Sequence, residues 1–371
     1  MKFLLIASFP DSLVLFRGPL INALLAHGLQ VHVAAPDLAE GSAVRVRLEN
    51  EGVHAHDIPL QRTGVNPLAD TRTLFHLWKL MCVVRPDFVL GYTIKPVIYG
   101  SLAARLAHVP KRFALITGLG YSFQGDGQRS VLRSLVQRLY SFALRGVNTT
   151  FFQNPDDDAL FRRLKILQPF DTSLVVHGSG VNIDYYTVAP LPAAPRFLLI
   201  ARLLGDKGIR EYAQAARRIR SRYPEVVFGL VGWVDENPNS VTQQELDNWI
   251  AEGTLEFAGR LSDVRPAIAA CSVYVLPSYR EGMPRTVLEA MAMGRAIITT
   301  DAPGCRETIE NGENGCLVPV RSVDALEAAM LRFINEPALA QRMGKRSRRI
   351  AESTYDVHKI NAVMLNEMGI Y

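Results

Sequence analysis

Two glutamates lie eight residues apart in a segment that joins an apolar run to a predicted helix. Residues 276–294 begin with Leu-Pro, continue as a polar loop containing Glu281 and end in the helix that contains Glu289. A strand-to-helix junction presents unpaired backbone N–H groups and the positive end of a helix dipole to an anion. We therefore predict an anionic ligand, with one of the two carboxylates facing a sugar and the other accepting hydrogen bonds from ribose hydroxyls. The alternative is a capping residue paired with a solvated helix face.

Two basic residues, Arg202 and Lys207, follow another apolar run. They lie in the octapeptide Ala-Arg-Leu-Leu-Gly-Asp-Lys-Gly at residues 201–208. The glycines permit a tight turn, so that both cations can approach one diphosphate. Without such a ligand, the two residues would be ordinary surface charges.

Strand-like apolar runs alternate with helix-like segments along most of the chain. The pattern begins at residues 3–8, which we interpret as a strand rather than a signal peptide, and restarts after a proline-containing linker at residues 186–195. This alternation predicts parallel, doubly wound sheets, and 371 residues exceed what one core usually supports. We therefore predict an α/β protein with two Rossmann-like domains facing a cleft, residues 1–188 and 189–352. Residues 353–371 are predicted to form a helix that returns to the first domain.

The spacing of Glu281 and Glu289, with Glu-Gly-Met-Pro at its start, resembles the E-x7-E signature of retaining glycosyltransferases. On these residues the chain resembles glycosyltransferase family 4, which has the GT-B fold, and the resemblance extends over nearly the whole chain. It implies three catalytic residues. Glu281 would orient the donor sugar, while Arg202 and Lys207, the family's R-x4-K pair, would stabilise the departing diphosphate with no metal and no other cofactor.

The same resemblance assigns the remaining donor contacts. The backbone at 259–261 would recognise the nucleotide base, and the helix start at 285–287 would support the diphosphate. Gly18 lies where the family has a glycine-rich loop, although the segment 8–19 is longer and more apolar here. The predicted donor-binding residues are Gly18, Arg202, Lys207, Gly259, Arg260, Leu261, Glu281, Gly282, Met283, Arg285, Thr286, Val287 and Glu289.

Segments 91–101, 115–123, 152–157 and 178–182 resemble a narrower subgroup, the hexosaminyltransferases that act on undecaprenyl-diphosphate-linked sugars. Many family members carry a histidine near the donor sugar where this chain has Thr117 and Gly118. For Lys95, the alternative to an acceptor contact is a buried or supporting lysine. The predicted acceptor-binding residues are Arg17, Lys95, Thr117, Gly118 and Tyr121.

The formal net charge of +5 lies entirely in the first half, where residues 1–190 contain 19 Lys and Arg against 14 Asp and Glu. This excess either arises by chance or reflects an anionic partner, such as a membrane surface or a diphosphate-bearing acceptor. Residues 129–145 are predicted to form an amphipathic helix with four arginines. That helix lies either on an anionic membrane or against the core. The absence of a basic block with interleaved aromatics argues against nucleic acid.

The four cysteines form no metal-binding or disulfide pattern, and no apolar run reaches the roughly 18 residues needed to span a bilayer. We expect a cytoplasmic protein peripherally associated with the inner membrane. The predicted reaction is retaining transfer of an N-acetylhexosamine from a UDP-sugar to a hydroxyl of a polyprenyl-diphosphate-linked saccharide in bacterial glycan assembly. Two alternatives are a nucleotide-sugar 2-epimerase of the same fold and a non-catalytic nucleotide-sugar-binding protein. No G-x-G-x-x-G follows the first strand, which argues against a dinucleotide oxidoreductase.

Overall fold

The chain divides into two compact units. The computed structural model describes residues 1–62, 64, 66–118, 130–235, 237 and 239–371, with the backbone alone at 130–132. The first unit contains Met1–Ser179 together with His358–Tyr371, and the second contains Gly180–Val357.

The first unit is built on a parallel sheet of seven strands. In chain order these are β1 Lys2–Ile6, β2 Gln30–Ala35, β3 His54–Asp57, β4 Phe88–Tyr92, β5 Lys111–Ile116, β6 Thr149–Phe152 and β7 Ser173–Val175. The spatial order is β3-β2-β1-β4-β5-β6-β7. The chain therefore extends the sheet in one direction from β1, then reverses and extends it from β4.

Helices connect these strands. They are α1 Asp11–Leu15, α2 Gly18–Ala26, α3 Ala43–Asn50, α4 Pro67–Val84, α5 Ile94–Leu106, α6 Ser130–Leu144 and α7 Pro155–Arg163. The segment 8–19, expected to be a loop, contains α1. Neither α3 nor α7 was predicted: α3 interrupts its apolar positions with charges, and the apolar residues of α7 are three in a row without helical periodicity, although its Pro-Asp-Asp-Asp start is a helix-start signal.

The first sheet is covered on both faces, as its nearly continuous apolar strands require. Phe3 and Leu5 of β1 belong to one buried cluster, whereas Leu4 and Ile6 belong to a second cluster on the opposite face. The last helix of the chain adds Ile360 to the cluster of Phe3 and Leu5.

The second unit repeats this construction with six parallel strands. These are β8 Arg196–Ile200, β9 Val227–Val231, β10 Glu256–Phe257, β11 Val273–Leu276, β12 Ala296–Thr300 and β13 Gly315–Val318. Their spatial order is β10-β9-β8-β11-β12-β13. The helices are α8 Ile209–Arg220, α9 Gln243–Ala251, α10 Arg265–Ala269, α11 Arg285–Ala292, α12 Val323–Asn335 and α13 Pro337–Ile350, and α14 Val357–Met368 ends the chain. The predicted α/β class with two doubly wound parallel sheets is confirmed.

Three histidines stack across β2 and β3. The Nδ1 atom of His32 lies 2.9 Å from Nε2 of His56, and the His32 ring stacks on His54 at 4.7 Å. Burial, together with the neighbouring His56 and His54, lowers the pKa of His32 to about 4. His32 is therefore neutral in the folded protein at a pH where it would be protonated in an unfolded chain.

Between about pH 4 and the unfolded pKa of 6.5, the unfolded chain binds more protons at His32 than the folded chain does. The free energy of unfolding should therefore rise with pH across this window, with His32 alone contributing a slope of up to about 1.4 kcal/mol per pH unit. Urea unfolding at several pH values measures the slope. The His32→Leu variant should show a shallower dependence, and equal slopes in both proteins would contradict this assignment.

Candidate active site

The second sheet changes direction between β8 and β11. The chain runs from β8 outward through β9 to β10 and then returns to pair β11 with the other side of β8. Ligands of open α/β sheets bind at such a switch point, outside the carboxyl ends of the strands. The loops that follow β8 and β11 are therefore adjacent, and they carry the residues with the most specific sequence patterns.

The loop after β8 is tightly turned and joined to the loop after β11. Gly205–Lys207 form a 3-10 turn, and Gly208 adopts a left-handed φ of 71°. A Cβ atom at Gly208 would lie 2.2 Å from the carbonyl oxygen of Pro277. The N–H of Tyr279 donates to the carbonyl of Asp206 over 2.8 Å. This close packing holds Lys207 against the second loop.

Lys207 and Glu281 form an ion pair at this junction. The Lys207 Nζ atom lies 2.5 Å from Glu281 Oε1, and both side chains are only 16% exposed. The Glu281 backbone is held from a third loop, because its N–H donates to the Pro303 carbonyl over 2.9 Å. The structure thus brings together two of the three predicted catalytic residues, although 74 residues separate them in sequence.

Arg202 lies on the loop after β8 and pairs with an acidic residue from the loop after β9. Its Nη1 atom is 3.3 Å from Asp235 Oδ2, and both groups are partly exposed. Sequence reasoning missed Asp235. The available signal was a polar segment directly after an apolar run, where a carboxylate at the carboxyl edge of the sheet is expected to meet the neighbouring loop.

The start of α11 has no side-chain cap. Pro284 caps the helix without a side-chain hydrogen bond, and the N–H groups of Val287 and Leu288 both point to the Pro284 carbonyl. Thr286 is fixed by Tyr274, whose hydroxyl lies 2.7 Å from its Oγ1 atom. The helix start therefore retains the positive dipole end that the sequence predicted for an anion.

Glu289 lies inside the protein rather than on an open surface. Its Oε1 atom accepts a hydrogen bond from the Tyr186 hydroxyl at 2.8 Å and forms an ion pair with Arg285, whose Nε atom lies 2.8 Å away. Burial raises the pKa of Glu289, opposed mainly by the charge of Arg285. Tyr186 was missed because it belongs to the linker region, 103 residues earlier, with no sequence signal to connect it. The proposed ribose contact thus requires a carboxylate whose Oε1 already accepts a hydrogen bond from Tyr186 and pairs with Arg285.

The other predicted donor residues of this unit occupy two loops. Gly259, in the left-handed region at φ 68°, accepts at its carbonyl from the Gly232 N–H over 2.9 Å. The Arg260 guanidinium stacks 4.8 Å from the Trp233 ring centroid. Leu261 and Met283 are partly buried against the core cluster around α11, and Gly282 is buried.

The first sheet has its own switch point, between β1 and β4. Arg17, which precedes α2, is buried with its guanidinium 5.1 Å from the ring centroid of Tyr92 at the end of β4. The Tyr92 hydroxyl lies 2.7 Å from Ser12 Oγ in α1. Gly18 is the first residue of α2. Arg17 is therefore packed inside the first unit. Its place in a predicted loop did not indicate this burial.

The remaining acceptor candidates are dispersed. Lys95 is mostly buried and forms an ion pair with Asp70 of α4 at 2.8 Å, which favours the supporting role held as its alternative. Thr117 and Gly118 directly follow β5 and are partly exposed, with Gly118 at φ 135°. Tyr121 lies outside the described residues.

The predicted basic amphipathic helix is α6, and Arg129 lies outside the described residues. Within α6, Val136, Tyr140 and Ala143 are buried in a cluster with α5 and α7, whereas Leu135 and Phe142 are exposed. The buried residues match the core-packing alternative. The predicted apolar face does not enter the core as a whole, because Leu135 and Phe142 remain exposed.

Neither a metal cluster nor a membrane span was found in the part of the chain that the structure describes. No group of three or more histidine, cysteine, aspartate or glutamate side chains there is placed to hold a metal ion. The helices of that part also include none that is long and apolar enough to cross a bilayer.

Gly208→Ala should destabilise the second unit by about 2–5 kcal/mol, because it combines left-handed strain with a clash against Pro277. The same change should lower turnover, since Lys207 is the adjacent residue. Gly253→Ala is the matched control: its φ is 67°, but the nearest atom to an added Cβ is 3.9 Å away. Thermal unfolding and initial rates check both variants, and equal losses of stability would contradict the role given to this packing.

Two family models match the chain, one in each unit. The model described as glycosyl transferases group 1 matches residues 194–336, which include Arg202, Lys207 and the segment from Glu281 to Glu289. The model described as glycosyl transferase 4-like matches residues 4–154.

Several known proteins are similar to this chain over most of its length. An N,N'-diacetylbacillosaminyl-diphospho-undecaprenol alpha-1,3-N-acetylgalactosaminyltransferase of Campylobacter jejuni is 27% identical, over 89% of this chain and 88% of its own length. A UDP-Gal:alpha-D-GlcNAc-diphosphoundecaprenol alpha-1,3-galactosyltransferase of Escherichia coli is 25% identical, over 78% and 77%. The sucrose-phosphate synthase structure from Thermosynechococcus elongatus superposes with a TM-score of 0.83 at 18% identity, over 99% of this chain and 98% of the other, and shares the fold.

Proposed function

We propose that this chain, which belongs to family 4 of the GT-B glycosyltransferases, moves a sugar from a nucleoside diphosphate to a lipid-diphosphate-linked saccharide with retention of anomeric configuration. The observation that carries the proposal is the Lys207–Glu281 pair at the switch point of the second sheet. Arg202 lies on the same loop as Lys207. A diphosphate is bound by cations, and sugar hydroxyls donate to a hydrogen-bond acceptor. Arg202 and Lys207 supply the cations at this site, and Glu281 supplies the acceptor.

In the proposed reaction, the bond between the anomeric carbon and the diphosphate oxygen breaks while the acceptor hydroxyl oxygen forms the new glycosidic bond. The hydroxyl proton passes to the departing diphosphate, so that the enzyme needs no separate base on the acceptor side. Arg202, Lys207 and the start of α11 stabilise the negative charge that develops on the leaving group. Glu281 orients the sugar hydroxyls.

The substrates are proposed from the relatives. By their names, one transfers N-acetylgalactosamine and the other galactose from UDP, and both act on a diphospho-undecaprenol-linked sugar. We propose a UDP-N-acetylhexosamine donor and a polyprenyl-diphosphate-linked acceptor for this chain. A lipid-linked acceptor requires the enzyme to act at a membrane surface. We propose that this surface is the cytoplasmic face of the inner membrane. The charge excess of the first half is consistent with that location.

The decisive experiment is a panel of UDP-, GDP- and dTDP-sugars, each with a short-chain polyprenyl-diphosphate saccharide and with no acceptor. We expect acceptor-dependent product from a UDP-N-acetylhexosamine, detected by mass, with the anomeric configuration of the donor retained by NMR. An epimer formed without acceptor would support the 2-epimerase instead. Nucleotide-sugar binding with neither product would indicate a non-catalytic protein.

A further inference from the structure

Helix α4 carries large apolar side chains on the face that it turns to solvent as well as on the face that it turns to the core. Leu77 and Met81 pack into the cluster around Leu4 and Ile6 of the first sheet, as a covering helix should. The outward side exposes four large apolar side chains: Leu68 at 84%, Phe75 at 55%, Trp78 at 36% and Val83 at 74%. A group of exposed large apolar side chains, especially one bordered by polar residues, marks a protein or membrane interaction site.

A covering helix of the second unit shows what the ordinary arrangement looks like in this chain. The outward side of α8 carries polar and charged side chains such as Arg210, Gln214 and Arg217, and none of its large apolar residues is exposed. Helix α4 therefore exposes four large apolar side chains, compared with none on α8 and two, Leu135 and Phe142, among the described side chains of α6.

The charges of the outward side of α4 are all basic. Arg72 and Lys79 are exposed between the apolar residues, and Arg85 caps the carboxyl end. The one acidic residue of the helix, Asp70, is turned inward and paired with Lys95. Phe75 and Trp78 lie together, with ring centroids 5.6 Å apart. Exposed aromatic rings flanked by Arg and Lys suit the boundary between lipid headgroups and acyl chains.

We infer that the outward side of α4 is a docking surface for an anionic lipid bilayer. The apolar residues Leu68, Phe75, Trp78 and Val83 enter the interface, and the basic residues Arg72 and Lys79 meet the phosphate headgroups. A second copy of the chain is the less suitable occupant, because two such surfaces would bring like charges together. This inference rests on the proposed function, because a lipid-linked acceptor is the reason for membrane binding. Vesicle binding through α4 can nevertheless be measured independently of sugar transfer.

The location of the surface suits a lipid-linked substrate. The first turns of α4 line a cavity of about 720 Å³ at the carboxyl ends of β2 and β3, with Leu68, Arg72 and His76 among its walls. Docking through α4 therefore sets the carboxyl edge of the first sheet beside the membrane. The predicted acceptor residues Thr117 and Gly118 lie on that same edge, directly after β5.

The test measures co-flotation of the full chain with vesicles of one part phosphatidylglycerol to three parts phosphatidylcholine. The Phe75→Ser/Trp78→Ser variant should weaken binding at least tenfold, and the Arg72→Gln/Lys79→Gln variant should lose the preference for phosphatidylglycerol over pure phosphatidylcholine. The matched control is Leu135→Ser/Phe142→Ser on α6, which also removes two exposed apolar side chains and should change binding less than threefold.

Two results would overturn the inference: wild-type binding by the Phe75/Trp78 variant, or an equal loss in the α6 control. A dimer that dissociates only in the Phe75/Trp78 variant would assign the surface to self-association instead. Because the substituted side chains are at least one-third exposed, each variant should stay folded at the temperature of the assay, which thermal unfolding checks. Transfer to a water-soluble acceptor in the absence of vesicles should be unchanged in the Phe75/Trp78 variant. Failure of the wild-type chain to transfer to any acceptor would contradict the proposed function while leaving the vesicle result intact.

Discussion

Replacing Lys207 with alanine is expected to lower kcat/KM for the nucleotide-sugar donor by at least tenfold and to weaken binding of UDP alone. The Lys207 ammonium is held at the switch point of the second sheet, where the leaving diphosphate is proposed to bind. A tenfold loss corresponds to about 1.4 kcal/mol of transition-state stabilisation, a modest value for a cation that meets developing negative charge. Initial rates and calorimetric titration with UDP measure the two effects.

The same substitution also leaves the Glu281 carboxylate without its Lys207 partner in a site that is mostly shielded from water. Part of any loss could therefore come from destabilisation. The double variant Lys207→Ala/Glu281→Ala removes both partners, and it should recover thermal stability relative to the single variant without recovering turnover. If activity returned together with stability, the ion pair would be structural and the catalytic assignment of Lys207 would be wrong.

The Glu281→Gln variant is expected to lose at least tenfold in kcat while changing the affinity for UDP less than threefold. Glutamine keeps the shape of the side chain but removes the charge that would accept hydrogen bonds from sugar hydroxyls. UDP has no transferred sugar, so its binding should depend on Lys207 and Arg202 instead. Comparing kcat with UDP affinity in one variant therefore separates a sugar contact from a diphosphate contact.

Glu252→Gln provides the control, since Glu252 forms an ion pair with Arg217 that is largely exposed and lies outside the candidate site. It should leave both kcat and UDP affinity unchanged, as exposed pairs contribute little. Should Glu281→Gln weaken UDP binding as much as turnover, Glu281 would act by positioning Lys207 rather than by contacting the sugar.

The structure brings predicted donor residues together more closely than predicted acceptor residues, for a physical reason. Arg202, Lys207 and Glu281 belong to short patterns that directly follow strands, and the carboxyl ends of parallel strands meet along one edge. Lys95 also follows a strand, but its charge is occupied by Asp70, 25 residues earlier. Periodicity likewise identified α6 as a helix without determining which of its apolar residues enter the core.

Sequence alone determined the α/β class, the two doubly wound sheets and the strand-loop-helix segments that carry Lys207 and Glu281. These features follow from local periodicity and turn chemistry, which act over a few residues. Only the tertiary structure decided that Lys207 and Glu281 pair, that Arg202 meets Asp235 and that Glu289 is buried beside Tyr186. The first two contacts depend on strand order: β11 returns to pair with one side of β8 and brings Glu281 to Lys207, and β9 pairs with the other side of β8 and brings Asp235 to Arg202.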